Sequence, residues 1–249
     1  MQKNICLKIE YIGSNYFGFQ LQDKKGKKEI TIQEALEKAI GKLFRKKIRI
    51  TAASRTDRGV HAKAQVVNFK VDTDIPLKNI KGALNAFLPK DIRVKSIKIA
   101  PFAFHARFWT KSKIYRYLIL NKNEPSVFLK DFSWHIAKPL DVKKMNKTAQ
   151  KLRGKKDFSL FAKEAKTYKD STREIKELTV KKRGGFISVD IEANGFLRNM
   201  VRNIVTFLVK VGAGKVSLEK ALGITKREIP YINKPAPACG LYLIKVKYS

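Results

Sequence analysis

Residues 51–69 read TAASRTDRGVHAKAQVVNF, and how this stretch is parsed decides how the chain is put together. A strand pattern ends at Ser54, a polar cluster follows, and alternation resumes from Ala64. Upstream, Lys3–Tyr11 alternates like a strand, and Thr31–Arg45 has helical period with Ile32, Leu36, Ile40 and Leu43 on one face. Lys47–Ser54 and Ala64–Lys70 are then two adjacent strands, followed by a helix over Leu77–Leu88 and a strand over Arg93–Ala100. That order, β-α-β-β-α-β, is the split βαβ arrangement of ferredoxin-like modules.

The second half repeats the order. Lys113–Leu120 reads as a strand, with a short one at Trp134–Ile136, and Asp141–Leu152 as a helix. Glu174–Lys181 and Phe186–Glu192 form a hairpin closed around Gly184-Gly185. Gly195–Val211 reads as a long helix and Leu241–Tyr248 as a final strand. These patterns predict an α+β fold of two related β-α-β-β-α-β halves, residues 1–105 and 106–249. The halves should form a mixed, mainly antiparallel central sheet flanked by helices. Each module buries one sheet face and leaves the other open, so a basic cleft is expected across the open face. Gln22–Lys28 and Asn121–Asp131, charged and polar, read as surface excursions.

Composition narrows the partners. A hydrophobic fraction of 44% over 249 residues supports a packed core and excludes disorder. Charge is the outlier: 54 Lys+Arg against 21 Asp+Glu gives +33, with a pI near 10.2. Such an excess points to a polyanion, since fixed cations displace counterions condensed on phosphates. Compositional drift toward Lys is the alternative source of the excess. No run of about 18 apolar residues offers a membrane span. Cys6 and Cys239 stand at opposite ends without a CxxC spacing, and with only three histidines (His61, His105, His135) no zinc pattern can be built. Met1–Asn4 runs straight into a strand without a signal peptide, and the expected compartment is the cytoplasm.

Three stretches could carry chemistry. Thr56-Asp57-Arg58-Gly59 fits a type I turn with Gly at its fourth position. Yet Arg55, Thr56, Asp57, Arg58 and His61 crowd into seven residues, and two arginines set positive charge beside a carboxylate that could act as a nucleophile. In Ala103–Phe108 and Lys111–Tyr117, Tyr115 and Tyr117 share one strand face, opposite Arg116. They read either as core with a solvated hydroxyl or as a platform for an extruded base. In the last stretch, Phe196, Met200, Ile204, Leu208 and Val211 form an apolar helix face. Beside it runs a stripe of Arg198, Asn199, Arg202, Asn203, Thr206 and Lys210, with Arg198 and Arg202 one turn apart. The stripe reads as a solvated face or as a site, its arginines offering planar forks for carboxylate or phosphate.

Arg55-Thr56-Asp57-Arg58-Gly59-Val60-His61-Ala62 resembles the signature of the TruA-type tRNA pseudouridine synthases, the anticodon stem-loop pseudouridine synthase family. Tyr16–Gln22, Asn85–Pro89, Phe196–Gly212 and Ala238–Leu243 are similar to further segments of that family, in the same order. The resemblance implies the pseudouridine synthase fold and the isomerisation of uridine at positions 38, 39 and 40 of the anticodon stem-loop. It implies Asp57 as the catalytic aspartate, Arg202 as its partner and Tyr115 packed against the uracil. Arg55 is implied to help hold the displaced base or its phosphate, and Thr56, Arg58, His61, Arg107 and Arg198 are expected with it as RNA-binding residues. A homodimer working on tRNA, without metal, cofactor or membrane, is implied as well. Phe19, Leu21, Ser54, Arg58 and Lys156 depart from the residues usual in the family. The competing readings are a non-catalytic basic RNA-binding protein and a synthase with another RNA target.

Overall fold

The first module folds in the expected order: β1 (Gln2–Tyr11), α1 (Ile32–Phe44), β2 (Thr51–Ala52), β3 (His61–Asp72), α2 (Leu77–Phe87) and β4 (Ile92–Ala100). The computed structural model describes residues 1–22, 30–222 and 234–248. Within it the chain divides into two units, Met1–Lys111 with Leu243–Ser249, and Ser112–Tyr242. The expected excursion Gln22–Lys28 lies, apart from Gln22, outside the described residues.

In the first unit β1 runs antiparallel to both β3 and β4, and β2 pairs with β3 through Thr51 opposite Asn68. Helix α1 starts where the Thr31 hydroxyl accepts from the Glu34 N–H at 3.2 Å, and it buries Ile32, Leu36 and Ile40. Asn85 ties α2 to β4 by exchanging two hydrogen bonds with the Val94 backbone, at 2.8 and 3.1 Å. The strand expected over Lys47–Ser54 shrinks to Thr51–Ala52. Its physical cause lies at Ile50, whose N–H donates to the Glu37 carboxylate at 3.2 Å rather than to a neighbouring strand. Strand β3 instead extends three residues earlier than its pattern suggests, and it is buried on both faces.

The second unit holds β5 (Ser112–Leu120), β6 (Trp134–His135), α3 (Val142–Lys151), β7 (Gly154–Asp157), β8 (Thr172–Arg183), β9 (Phe186–Ala193), α4 (Met200–Gly212) and α5 (Leu218–Leu222). Strands β5, β9, β8 and β7 lie side by side and antiparallel, while β6 joins β5 in parallel. The β8–β9 hairpin turns at Gly184-Gly185 as expected, with Gly184 at φ +56°. Two elements were not anticipated: α5 is only five residues long, and β7 is a lysine-bearing edge strand without an apolar pattern. The last strand, β10 (Leu241–Lys247), groups from Leu243 onward with the first unit, where β3 is its neighbour. The class is α+β, with mainly antiparallel strands and flanking helices. Among the described residues no helix is long and apolar enough to cross a membrane.

Candidate active site

Asp57 sits half-buried on the loop between β2 and β3, and the turn there is not the expected one. The Val60 N–H donates to the Asp57 carbonyl at 3.2 Å, so the turn runs over Asp57–Val60, one residue later than Thr56–Gly59. Gly59 therefore occupies the third position, at φ +78°, where a type II turn demands a left-handed residue. Spacing alone left the register open, because glycine suits either position.

The loop is pinned along its length. Gln65, fully buried in β3, grips the Ser54 backbone, accepting from its N–H at 3.2 Å and donating to its carbonyl at 2.6 Å. The Thr56 hydroxyl shares a hydrogen bond with the Tyr11 hydroxyl at 2.8 Å, and the Thr56 carbonyl accepts from the Phe19 N–H at 3.0 Å. The His61 Nδ1 accepts from the Gly13 N–H at 3.1 Å, which leaves the proton of a neutral ring on Nε2. Arg58 lies over the Phe17 ring, 4.0 Å from its centroid. Two glycines press on the loop backbone. A Cβ on Gly18 would stand 3.0 Å from the Thr56 carbonyl oxygen, and one on Gly13 would stand 2.1 Å from that of Val60. The five-residue cluster thus divides: Thr56 and His61 turn inward and hold the loop, while Arg55 and Arg58 are exposed around Asp57.

Arg107 belongs to a second fixed segment of the same unit. Asn4 Nδ2 donates to the carbonyls of Pro101 and Phe104 at 3.0 and 2.9 Å, and Asn68 Nδ2 donates to Asn4 Oδ1 at 2.9 Å. Asn68 Oδ1 in turn accepts from the Ala106 N–H at 2.9 Å. Burial, and then the like charge of Arg107, hold the Arg55 guanidinium below its ordinary value. The fold thus brings Arg55 and Arg107 within electrostatic reach of each other.

In the second unit, Tyr115 on β5 is buried with its ring edge-on to Phe196, centroids 5.2 Å apart. Tyr117 is core: its hydroxyl donates to the Pro237 carbonyl at 2.7 Å, and burial pushes that hydroxyl far above the usual tyrosine range. Arg116, on the opposite face, forks onto Asp190 at 2.6 and 2.9 Å. The expected long helix is corrected. It begins at Met200 rather than Gly195, because Asn199 turns left-handed at φ +61°. Phe196 and Arg198 are therefore outside it, and Arg198 does not share a helix face with Arg202. Arg198 pairs with Glu164 at 2.9 Å, while the Arg202 Nε donates to the Ala236 carbonyl at 2.6 Å. Nor is the polar stripe a solvated face: Asn203 and Thr206 are buried, bonded to the carbonyls of Phe161 and Lys234.

A family model described as tRNA pseudouridine synthase matches residues 8–109 and 148–249, a span that includes the Asp57 loop, Arg107 and all of α4. The chain belongs to the tRNA pseudouridine synthase family. A protein of Thermoanaerobacter sp. (strain X514) named tRNA pseudouridine synthase A is 42% identical over 247 residues, covering 99% of this chain and 100% of that protein. One of Clostridium perfringens (strain 13 / Type A), named tRNA pseudouridine synthase A 2, is 44% identical over 213 residues, 86% of each chain. The chain is thus a member of a family of isomerases.

For this pseudouridine synthase family member, reasoning from the sequence missed the residues that aim the Asp57 loop, Tyr11, Gly13 and Gln65, and the Asn4–Asn68 pair that fixes the segment carrying Arg107. One signal was present, since Gln65 and Asn68 interrupt the apolar run of β3 with side chains that must find buried partners. Phe19, a departure from the usual residue, is core, its ring 6.3 Å from Tyr11.

Proposed function

We propose that this synthase converts uridine to pseudouridine at positions 38, 39 and 40 of the tRNA anticodon stem-loop, with Asp57 as the catalytic carboxylate. The reaction breaks the N1–C1′ bond, turns the freed uracil, and joins C5 to C1′ with loss of the C5 proton. Asp57 is the group that starts it, at the ribose or at the base. The observation that carries this reading is the Asp57 loop: a half-buried carboxylate, flanked by two exposed arginines, on backbone held by Gln65, Tyr11, Phe19 and His61. A nucleophile that must meet one carbon of an extruded nucleotide gains from such fixed geometry.

Roles for the other residues follow the resemblance. Tyr115 is proposed to pack on the uracil and Arg202 to serve the same reaction as the partner of Asp57. Arg55, Arg58 and Arg107 take RNA phosphates. Thr56 and His61, being buried, support RNA binding through the loop they hold, and Arg198 contributes with Glu164 as its resting partner. A cytoplasmic homodimer is proposed with them.

The experiment uses tRNA transcripts carrying C5-tritiated uridine. Wild-type protein releases label from positions 38, 39 and 40, and Asp57→Asn abolishes release while binding tRNA nearly as well. Release from outside the anticodon arm would overturn the target assignment. Parallel loss of binding and release in Asp57→Asn would overturn the role of Asp57.

A further inference from the structure

The segment that carries Arg107 also carries Phe108, a residue 76% exposed. This is not a loose side chain. His105 stacks against it, centroids 4.1 Å apart and planes 21° from parallel. The His105 Nδ1 accepts from the N–H groups of Arg107 and Phe108 at 3.3 and 3.2 Å, and its carbonyl accepts from the Trp109 N–H at 3.1 Å. The Thr110 hydroxyl closes the turn onto the Ala106 carbonyl at 2.8 Å. Asn4 and Asn68 fix the chain just upstream, as described above. A ring backed on one face, rigidly mounted and open to water on the other, contributes little to folding. Folding is served next door by Phe104, buried between Trp109 and Tyr248 at 5.5 and 5.0 Å.

The surroundings say what the open face suits. Arg107, the preceding residue, is exposed, and Arg55 lies within electrostatic reach of it. An exposed π face next to an arginine matches a nucleotide, base on the ring and phosphate on the cation. We propose that Phe108, backed by His105, is a stacking platform for an RNA base beside the target uridine, with Arg107 and Arg55 taking the adjoining phosphate. Arg55 stands two residues from Asp57, and on this proposal the stacked base is one that flanks the reacting nucleotide. The proposal rests on the Asp57 loop being the reaction centre.

The test uses anticodon stem-loop RNAs with 2-aminopurine placed in turn at each nucleotide flanking the target, since stacking on an aromatic ring quenches its fluorescence. Wild-type protein quenches the probe strongly at one flanking position. Phe108→Ala abolishes that quench and weakens RNA binding about 5- to 150-fold, the range for one stacked base. Phe108→Trp restores both, and Phe108→Leu, apolar but without a π face, restores neither. An unchanged quench or unchanged affinity in Phe108→Ala overturns the proposal. A change in oligomeric mass with RNA affinity intact also overturns it, assigning the ring to a protein contact. Tritium release on the parent RNA keeps the two readings apart: release without any quench refutes the platform alone, and quench without release refutes the activity alone.

Discussion

Replacing Gly18 by Ala tests whether the loop around Asp57 is held in place by close backbone approach. Gly18 sits at φ +88°, a conformation that costs an L-residue about 1–2 kcal/mol. Its new Cβ would also stand 3.0 Å from the Thr56 carbonyl oxygen, 3.3 Å from the Arg58 nitrogen and 3.4 Å from the Asp57 carbonyl carbon. All three neighbours are backbone, so no side chain can swing aside and the loop itself must shift by a few tenths of an ångström. Strain and displacement together predict a loss of about 1–3 kcal/mol, and melting falls roughly 2–4 °C for each of those. If a 1 Å misplacement costs on the order of 100-fold in rate, a shift of 0.3–0.5 Å costs about 4- to 10-fold. Single-turnover tritium release at saturating tRNA measures that rate, a thermal melt measures stability, and a filter-binding titration measures affinity. The expected outcome is slower chemistry and a lower melting point with affinity nearly unchanged. A lower melting point with full single-turnover rate would refute the idea that Gly18 sets the position of Asp57.

Three further outcomes follow from the same contacts. Gln65→Leu removes both hydrogen bonds to the Ser54 backbone, and should cost about 1–3 kcal/mol in a urea titration and slow single-turnover release. Thr31→Ala removes the N-cap of α1, and should cost about 1 kcal/mol by the same titration. Gly82 lies inside α2, and an added Cβ there meets nothing within 4 Å, so Gly82→Ala should stabilise the protein by roughly 0.5–1 kcal/mol and leave tritium release unchanged.

The order of elements was legible because burial imposes it on the sequence. Ile32, Leu36 and Ile40 could only be a helix face, and the Gly184-Gly185 pair between two alternating runs could only be a tight hairpin. What failed depends on partners distant in sequence. The strand over Lys47–Ser54 had the right residues, but Glu37 takes the Ile50 N–H. The helix expected from Gly195 has apolar periodicity that runs on past its true start, so only the left-handed turn at Asn199, invisible to periodicity, marks Met200 as the beginning. In the site, residue types were legible and their division of labour was not. Thr56 and His61 look as reactive in sequence as Arg55 and Arg58. Only the hydroxyl of Tyr11 and the N–H of Gly13, some 45 and 48 residues away, reveal that they are holding groups.

That division has a common physical source in the strands beneath. Asn4, Gln65 and Asn68 are buried amides on β1 and β3, where apolar side chains would pack at lower cost. Each spends its donors and acceptor on main-chain groups or on another such amide: Gln65 on the loop that carries Arg55, Asp57 and Arg58, and the Asn4–Asn68 pair on the segment that carries Arg107. A buried amide left half-bonded costs more than it gains, so these contacts are all-or-none and fix the backbone they grip. The same two strands thus orient both basic segments of the unit, before any RNA arrives. For a reaction that must keep a cleaved uracil in place while it turns, that rigidity is worth more than the stability an apolar core would add at those positions.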